Sequence, residues 1–478
     1  MSHLNSMKKT VLSLLLTCLI SSVNAQQLAL YNSHTLYDAF ENPSQKAFKA
    51  DTSRKYAFNF FIPTISANGA FNGPAQKSFK YLVYGNVFNS VGIPLGEGKT
   101  NTLEAHTNSY LAMFRIFKSV KFNREMGFAW QVRSDGNVKI SNESLAIFDN
   151  YKLFSAKNQF SNIFNDKGYN QSYHQFSFSY REDYDKRFSL GAKLSLLSGI
   201  AYAKFKVDRS ELTNFTDADS FSVALKGNFK SNFLTSNLNR DILYPKFSDP
   251  GLALSAGASY KFREGWFLLG NLKDIGFIRW RKNSHDYSFN KTIGIANAST
   301  GTADERLNRA IGKMINEASE ETKFTTVING KVEALLNKNF GPYRPNFILS
   351  KNLFYPGGNI GLINNYHVGN YVFTASGAYN TTKYFQIGGQ FMIKSPNVEF
   401  FIGSGQLFKT LDATKSLINN DPTIGNGYSG ASAYFGFAVK FGPAMEHPLN
   451  ANTIPGMEQV NSGRGSFFKR ILGIFRRK

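Results

Sequence analysis

Cysteine is nearly missing from this chain: Cys18 is the single one in 478 residues. Downstream of it there is no thiol, which excludes a disulfide framework and thiolate chemistry. Long apolar runs are missing too. After residue 25 no stretch holds 18 consecutive apolar residues, which excludes a membrane-spanning helix. Catalytic signatures are absent as well. Gly403-Ser404-Gly405 and Ser429-Gly430 lack the second framing glycine of a nucleophile elbow, and no phosphate-binding P-loop occurs. His34, His106, His174, His285, His367 and His447 are scattered, with no pair at helical metal-ligand spacing. The expectation is therefore no enzyme, no cofactor and no metal. Acids are also scarce: 33 Asp and Glu face 55 Lys and Arg, a net charge of +22.

What is present begins at the N-terminus. Lys8 and Lys9 precede an apolar stretch, Val11 to Ile20, and then the small polar segment Ser21 to Ala25. Val23-Asn24-Ala25 suits signal peptidase, so residues 1–25 read as a secretory signal with Gln26 as the mature start. Met7 is an alternative start, since Met1 to Ser6 is unlike a signal n-region. A lipoprotein reading of Cys18 fits poorly, because Thr17 stands where a smaller residue is usual and apolar Leu19 and Ile20 would remain. Cleavage after Ala25 leaves 453 residues. Export removes cytoplasmic nucleic acid as a partner for the positive charge, which is dispersed along the chain. The expected partners of a basic surface are outer-membrane lipid and lipopolysaccharide; a merely solubilising surface is the alternative.

Aromatic residues are abundant, 45 Phe and 23 Tyr, yet the mean hydropathy is −0.28. Period-two alternation reconciles the two. Leu252, Leu254, Ala256, Ala258, Tyr260 and Phe262 alternate with Ala253, Ser255, Gly257, Ser259 and Lys261. Tyr371, Phe373, Ala375 and Tyr379 alternate with Val372, Thr374, Ser376 and Ala378. The same pattern recurs in 176–180, 385–393 and 435–441. Each segment has one apolar face and one small or polar face. A soluble sandwich would turn the apolar face inward, and a membrane barrel would turn it to lipid. Extended stretches at 124–140, 186–204 and 265–280 exceed ordinary soluble strands and favour the barrel. Aromatics near strand ends (Tyr180, Tyr260, Phe262, Phe277, Trp280, Tyr379, Tyr384, Phe408, Phe441) suggest interfacial girdles.

The fold class is thus all-β, an antiparallel transmembrane barrel of about 14 strands over residues 56–442. Candidate strands fall at 56–71, 108–118, 124–140, 173–183, 186–205, 219–232, 252–263, 265–280, 285–293, 323–336, 358–367, 370–380, 383–394, 397–407 and 431–442. Tight links at 183–185, 263–265, 369–370, 381–382 and 395–396 read as periplasmic turns or hairpin ends. Segments 141–170, 233–250 and 408–430 read as longer loops. Residues 302–321 read as a helical insertion, with Leu307, Ile311, Met314, Ile315 and Ala318 on one face. It could plug the lumen, cover a mouth or simply sit in a loop. Residues 26–55 form an N-terminal segment and 443–465 a Pro/Asn/Gly-rich linker. Residues 466–478 form a basic amphipathic tail: Phe467, Phe468, Ile471, Leu472, Ile474 and Phe475 oppose Lys469, Arg470, Arg476 and Arg477. Such a tail suits a membrane surface or a periplasmic partner; a frayed basic end is the alternative.

Several segments carry a resemblance. Asn42-Pro43-Ser44 is close to the Asn-Pro-Ala near the start of fatty-acid-transporter-like barrels. Gly265-Trp266-Phe267 leads into Leu272-Lys273-Asp274-Ile275-Gly276-Phe277-Ile278-Arg279-Trp280, and the chain later runs Ala433-Tyr434-Phe435-Gly436-Phe437 to Phe441-Gly442. Over residues 27–442 the chain resembles an uncharacterised outer-membrane barrel family of Bacteroidota, more distantly similar to fatty-acid-transporter-like and type IX secretion-associated barrels. The resemblance implies outer-membrane location and a plug that would include Asn42, Pro43 and Ser44. It implies no ligand. Two functions follow as expectations: passive transport of a hydrophobic or small solute, or a non-transporting barrel that meets a secretion or gliding protein through its tail. A soluble exported β-protein is a third reading.

Overall fold

The computed structural model describes residues 28–445 except 50–51, 86–88, 91, 97, 120–122, 148, 150, 155–156, 233–243, 282, 301 and 318–320. The signal segment and the tail, including Phe467, Phe468, Lys469, Arg470, Ile471, Leu472, Phe475, Arg476 and Arg477, lie outside the described residues, as does the linker beyond Met445.

In chain order the strands are β1 (Arg54–Phe58), β2 (Thr64–Asn72), β3 (Thr100–Ser119), β4 (Arg124–Ser141), β5 (Gln159–Ser161), β6 (Lys167–Asp183), β7 (Phe188–Phe215), β8 (Ser220–Ser231), β9 (Pro250–Lys261), β10 (Trp266–Trp280), β11 (His285–Ala296), β12 (Phe324–Val327), β13 (Lys331–Lys338), β14 (Tyr343–Asn352), β15 (Gly358–Val368), β16 (Tyr371–Asn380), β17 (Tyr384–Lys394), β18 (Val398–Ser404) and β19 (Ser429–Ala444). They form a closed antiparallel barrel of 14 staves. β1 and β2 make one stave, broken at Phe60 and Phe61, whose φ values are positive. β12 and β13 make another, both pairing with β10. The first stave bonds to β3 on one side and to β19 on the other, which closes the ring. Closure joins the first stave to the last, so the ring itself has no open edge except at a notch beside β18.

The alternation decides the faces. Leu252, Leu254, Phe373, Phe385 and Ile387 are exposed on the outside, Leu254 to 53% and Phe373 to 52%. Their neighbours Ala253, Ser255, Val372, Thr374 and Gln386 are buried on the inside. Among the described residues no helix is long and apolar enough to cross a membrane.

One end of the ring carries short links, the start of β1 and the end of β19. The other carries longer loops, with helices α2 (Gln76–Gly85), α3 (Asn142–Ile147), α4 (Ala303–Glu317) and α5 (Leu407–Asn419). Helix α1 (Leu36–Glu41) belongs to the N-terminal segment. Helix α4 is the helical insertion, and its Leu307 and Met314 pack with Phe221, Val223 and Ile295 at the loop end.

The structure departs from the sequence expectations at several elements. Segments 219–232 and 285–293 are strands but not staves. β8 pairs with the upper part of β7 from Ala203 to Phe215, and β11 pairs with β8, so the two extend the wall beyond the ring. The stave they displaced is β14, overlooked because Pro345 argues against a strand interior; it pairs with Asn364 in β15 all the same. Thr381-Thr382 turns at the loop end, not with the short turns. Segment 408–430 is largely α5. Trp280 and Tyr384 do not join a girdle: both are buried, and the Trp280 Nε1–H donates to Thr326 Oγ1 at 2.8 Å inside the barrel.

Candidate functional site

The interior is built from charges that the strands place on their small-residue face. Residues 28–49 enter it from the short-turn end. Thr35 caps α1, its hydroxyl accepting from the Asp38 N–H at 3.1 Å. Leu36, Ala39 and Phe40 are fully buried, packed with Tyr110, Met113, Phe401 and Tyr434 from opposite parts of the wall. Burying one such side chain stabilises by about 1.5–3 kcal/mol.

Side chains from all round the ring hold this segment. The Leu36 N–H donates to Glu399 of β18 at 2.7 Å, and Glu399 pairs with Lys440 of β19. The Ala47 N–H donates to Glu125 of β4 at 3.0 Å. Glu125 pairs with Arg115 at 2.7 Å, and Arg115 also donates to the Ala39 carbonyl at 3.0 Å. Glu41 pairs with Lys273 of β10 and accepts from Tyr110 and Asn108 at 2.7 and 2.8 Å. Tyr31 donates its hydroxyl to Glu333 of β13. These groups are almost wholly buried; Glu41, Glu125 and Glu399 are tolerable there because each is both paired and hydrogen-bonded.

Asn42, Pro43 and Ser44 are all buried on this segment. Asn42 closes α1, its side chain donating to Asp38 at 2.6 Å and accepting from Asn271 of β10 at 3.0 Å. The Pro43 carbonyl lies against Gly191 of β7, where any Cβ would collide with it. The Ser44 carbonyl accepts from Arg181 of β6 at 3.0 Å. The three residues thus bridge β10 to β6 and β7.

The run that carried the resemblance has its own geometry. β10 bulges between Leu272 and Ile275, where its register against β9 shifts and Asp274 takes φ 51°. The extra residue sends both Lys273 and Asp274 inward. Lys273 reaches Glu41, while Asp274 pairs with Arg133 of β4 and with Lys193 of β7 at 3.1 Å. Sequence spacing could not show this, because strict alternation would have put one of the two outside.

Between the segment and the loop end lies a small polar cavity that opens to solvent. Its walls include Tyr31, Tyr37, Asn108, Asp135, Lys331 and Gln386. No cluster of acids, histidines or cysteines among the described residues could hold a metal. Beside the cavity the wall is incomplete. β18 ends at Ser404, whereas β17 and β19 continue toward the loop end, paired with β16 and β2 but with no strand between them. The start of α5 fills the notch: Gln406 reaches inward to donate to Asn68, and Thr410 Oγ1 accepts from the Ser432 N–H at 2.9 Å. The sequence reading overlooked these inward charges and amides; the available signal was a charged residue on the small-residue phase of a strand, as at Lys440.

No curated protein matches the sequence. Among solved structures the chain is similar to the toluene transporter TodX of P. putida, with a TM-score of 0.40 and 8% identity over 86% of this chain and 94% of that one. It is similar to the toluene transporter TbuX of Ralstonia pickettii, with a TM-score of 0.38 and 7% identity over 85% and 94%. A FadL homologue of Pseudomonas aeruginosa gives 0.39 and 12% over 87% and 95%. Likeness at this level says nothing about a solute. Residues 47–405, most of the barrel, match the family of unknown function DUF5723, and the chain belongs to that family.

Proposed function

We propose that this protein is an outer-membrane barrel for passive entry of a small solute, in which residues 28–49 act as a plug. The observation that carries the reading is the pairing of an outward apolar face with an inward segment pinned by buried charges. A barrel with exposed Leu, Phe and Ile around its staves is stable when lipid covers them. A polar interior blocked by a separable segment suits a gated path, and the cavity supplies its outer half. The polar walls favour a small polar solute over a hydrophobic one.

The same pins support a second reading, a non-transporting barrel whose interior stays filled and whose loops or tail engage a partner protein. Planar-bilayer conductance of the full chain against the double variant Glu125→Gln/Glu399→Gln separates the two. Conductance steps that become larger or more frequent in the variant support transport. A variant that keeps a heat-modifiable folded band yet stays silent overturns it in favour of the second reading.

A further inference from the structure

The cavity above the N-terminal segment has a composition that selects a class of ligand. Three acids line it, Glu41, Glu104 and Asp135, and three bases, Arg133, Lys273 and Lys331. A net charge brought by a ligand would upset this balance in a site of low polarisability. Most of the charges already have partners. Glu41 has Lys273, Arg133 has Asp274, and Glu104 accepts from Asn137 and Tyr384 at 3.0 and 2.9 Å.

Three polar groups are left over. Asn108 spends its amide N–H groups on Glu41 and Tyr37, and its Oδ1 is buried with no hydrogen bond. Asp135 Oδ1 faces His106 at 2.9 Å, but its Oδ2 is buried with no hydrogen bond. The side chain of Lys331, 9% exposed, has the charges of Asp135 and Glu333 nearby but makes no close ion pair or hydrogen bond with a described residue. Two acceptors therefore lack donors, and one cation sits near an acid without a hydrogen-bond acceptor in contact, all in one cavity. Such groups cost free energy until matched. Tyr31 and Tyr37 add aromatic surface beside them.

We propose that this cavity binds a neutral polyhydroxylated solute. A hydroxyl donates and accepts at once, so a polyol gives donors to Asn108 Oδ1 and Asp135 Oδ2 and an acceptor to Lys331 without adding charge. Apolar carbons on the ligand's other face then lie on the tyrosines. A hydrophobic solute would leave all three groups unmatched, and an ion would unbalance the lining. The proposal rests on the transport reading only for its biological purpose; binding itself does not require passage.

Saturation-transfer NMR on the detergent-purified full chain, with D-glucose as probe and with glycine betaine and toluene as comparisons, tests it. The expected result is transfer to glucose, not displaced by either comparison. Asp135→Asn, which replaces the acceptor Oδ2 by a donor while keeping Oδ1 for His106, weakens glucose binding about tenfold, as does Lys331→Gln. Each variant is first shown to keep the heat-modifiable band, so that if one misfolds the other still decides. No transfer to glucose, or equal binding in a folded variant, overturns the proposal, as does displacement of glucose by betaine or toluene. Proteoliposome swelling separates the two readings. Binding without swelling keeps the site and removes transport, whereas swelling with binding unaffected by both variants removes the site.

Discussion

Lys440 and Glu399 illustrate the residue scale. Both are buried, and the carboxylate also holds the Leu36 N–H. Removing one partner of a buried pair typically costs about 3–5 kcal/mol because the other charge is stranded. Glu399→Gln is expected to lower the temperature at which the folded band disappears on a gel. Glu399→Gln combined with Lys440→Met is expected to recover most of that loss, since the stranded charge is gone. Asp38 gives a pH dependence. Burial raises its carboxyl to about 6, against the opposing hydrogen bonds from Asn42 and His34 and the charge of Lys394. The docked segment therefore favours the protonated acid. Its docking is strongest below about pH 4, the usual carboxylate value, and weakens as pH rises through 6. Hydrogen exchange of α1 amides, corrected for intrinsic rates, is expected to quicken between pH 4.5 and 7.5. Asp38→Asn is expected to flatten that change; a wild-type chain with no such change would refute the assignment.

At the scale of elements, the bulge of β10 is the device that turns part of an alternating stave wholly toward the interior. Gly276 follows it, and a Cβ there would run into the Leu252 carbonyl and Ala253 of β9. Gly276→Ala is expected to lower the yield of folded barrel, read as the fraction of heat-modifiable band after refolding. Gly270→Ala on the same strand has open space and is expected to change little. The notch above β18 is the other element that departs from an ideal stave. There a side chain, Thr410, replaces the missing neighbour strand for the Ser432 N–H. α5 leaves Phe408, Leu411 and Ile418 exposed on the loop side of that notch.

For the whole molecule, the proposed function requires lipid over the outward apolar face. An outward residue exchanged for a charge should cost about 2–4 kcal/mol at mid-bilayer and much less near the interface. Leu254→Arg is therefore expected to destabilise the barrel in lipid vesicles, measured by urea unfolding. Leu417→Arg, on exposed α5, is expected to be close to neutral. Equal effects at both sites would mean that the outward face is not lipid-covered.

The all-β class and the two-faced strands were legible in the chain because alternation is local: each strand repeats the two-sided choice every two residues, as Leu252 to Phe262 does; the barrel and its outward apolar face were legible only with the help of strand length, as at 124–140 and 265–280. The roughly correct strand number was legible for the same reason. Which strands form the ring was not. β8 and β11 alternate as well as the staves do, and only pairing along the upper half of β7 sets them above it. β14 was hidden by Pro345. The interior was hidden more deeply. Asn42-Pro43-Ser44 could be picked out by position, but its anchors Asn271, Gly191 and Arg181 lie far along the chain on three different strands. Burial of a charge is bearable only beside its partner, and Glu41 with Lys273, or Glu399 with Leu36, meet across more than 200 residues. The sequence by itself determined the wall, because period-two sorting of apolar and polar side chains needs only neighbours. Tertiary structure alone decided the contents of the lumen, because they depend on closing the ring and on one bulge that aims two consecutive side chains inward.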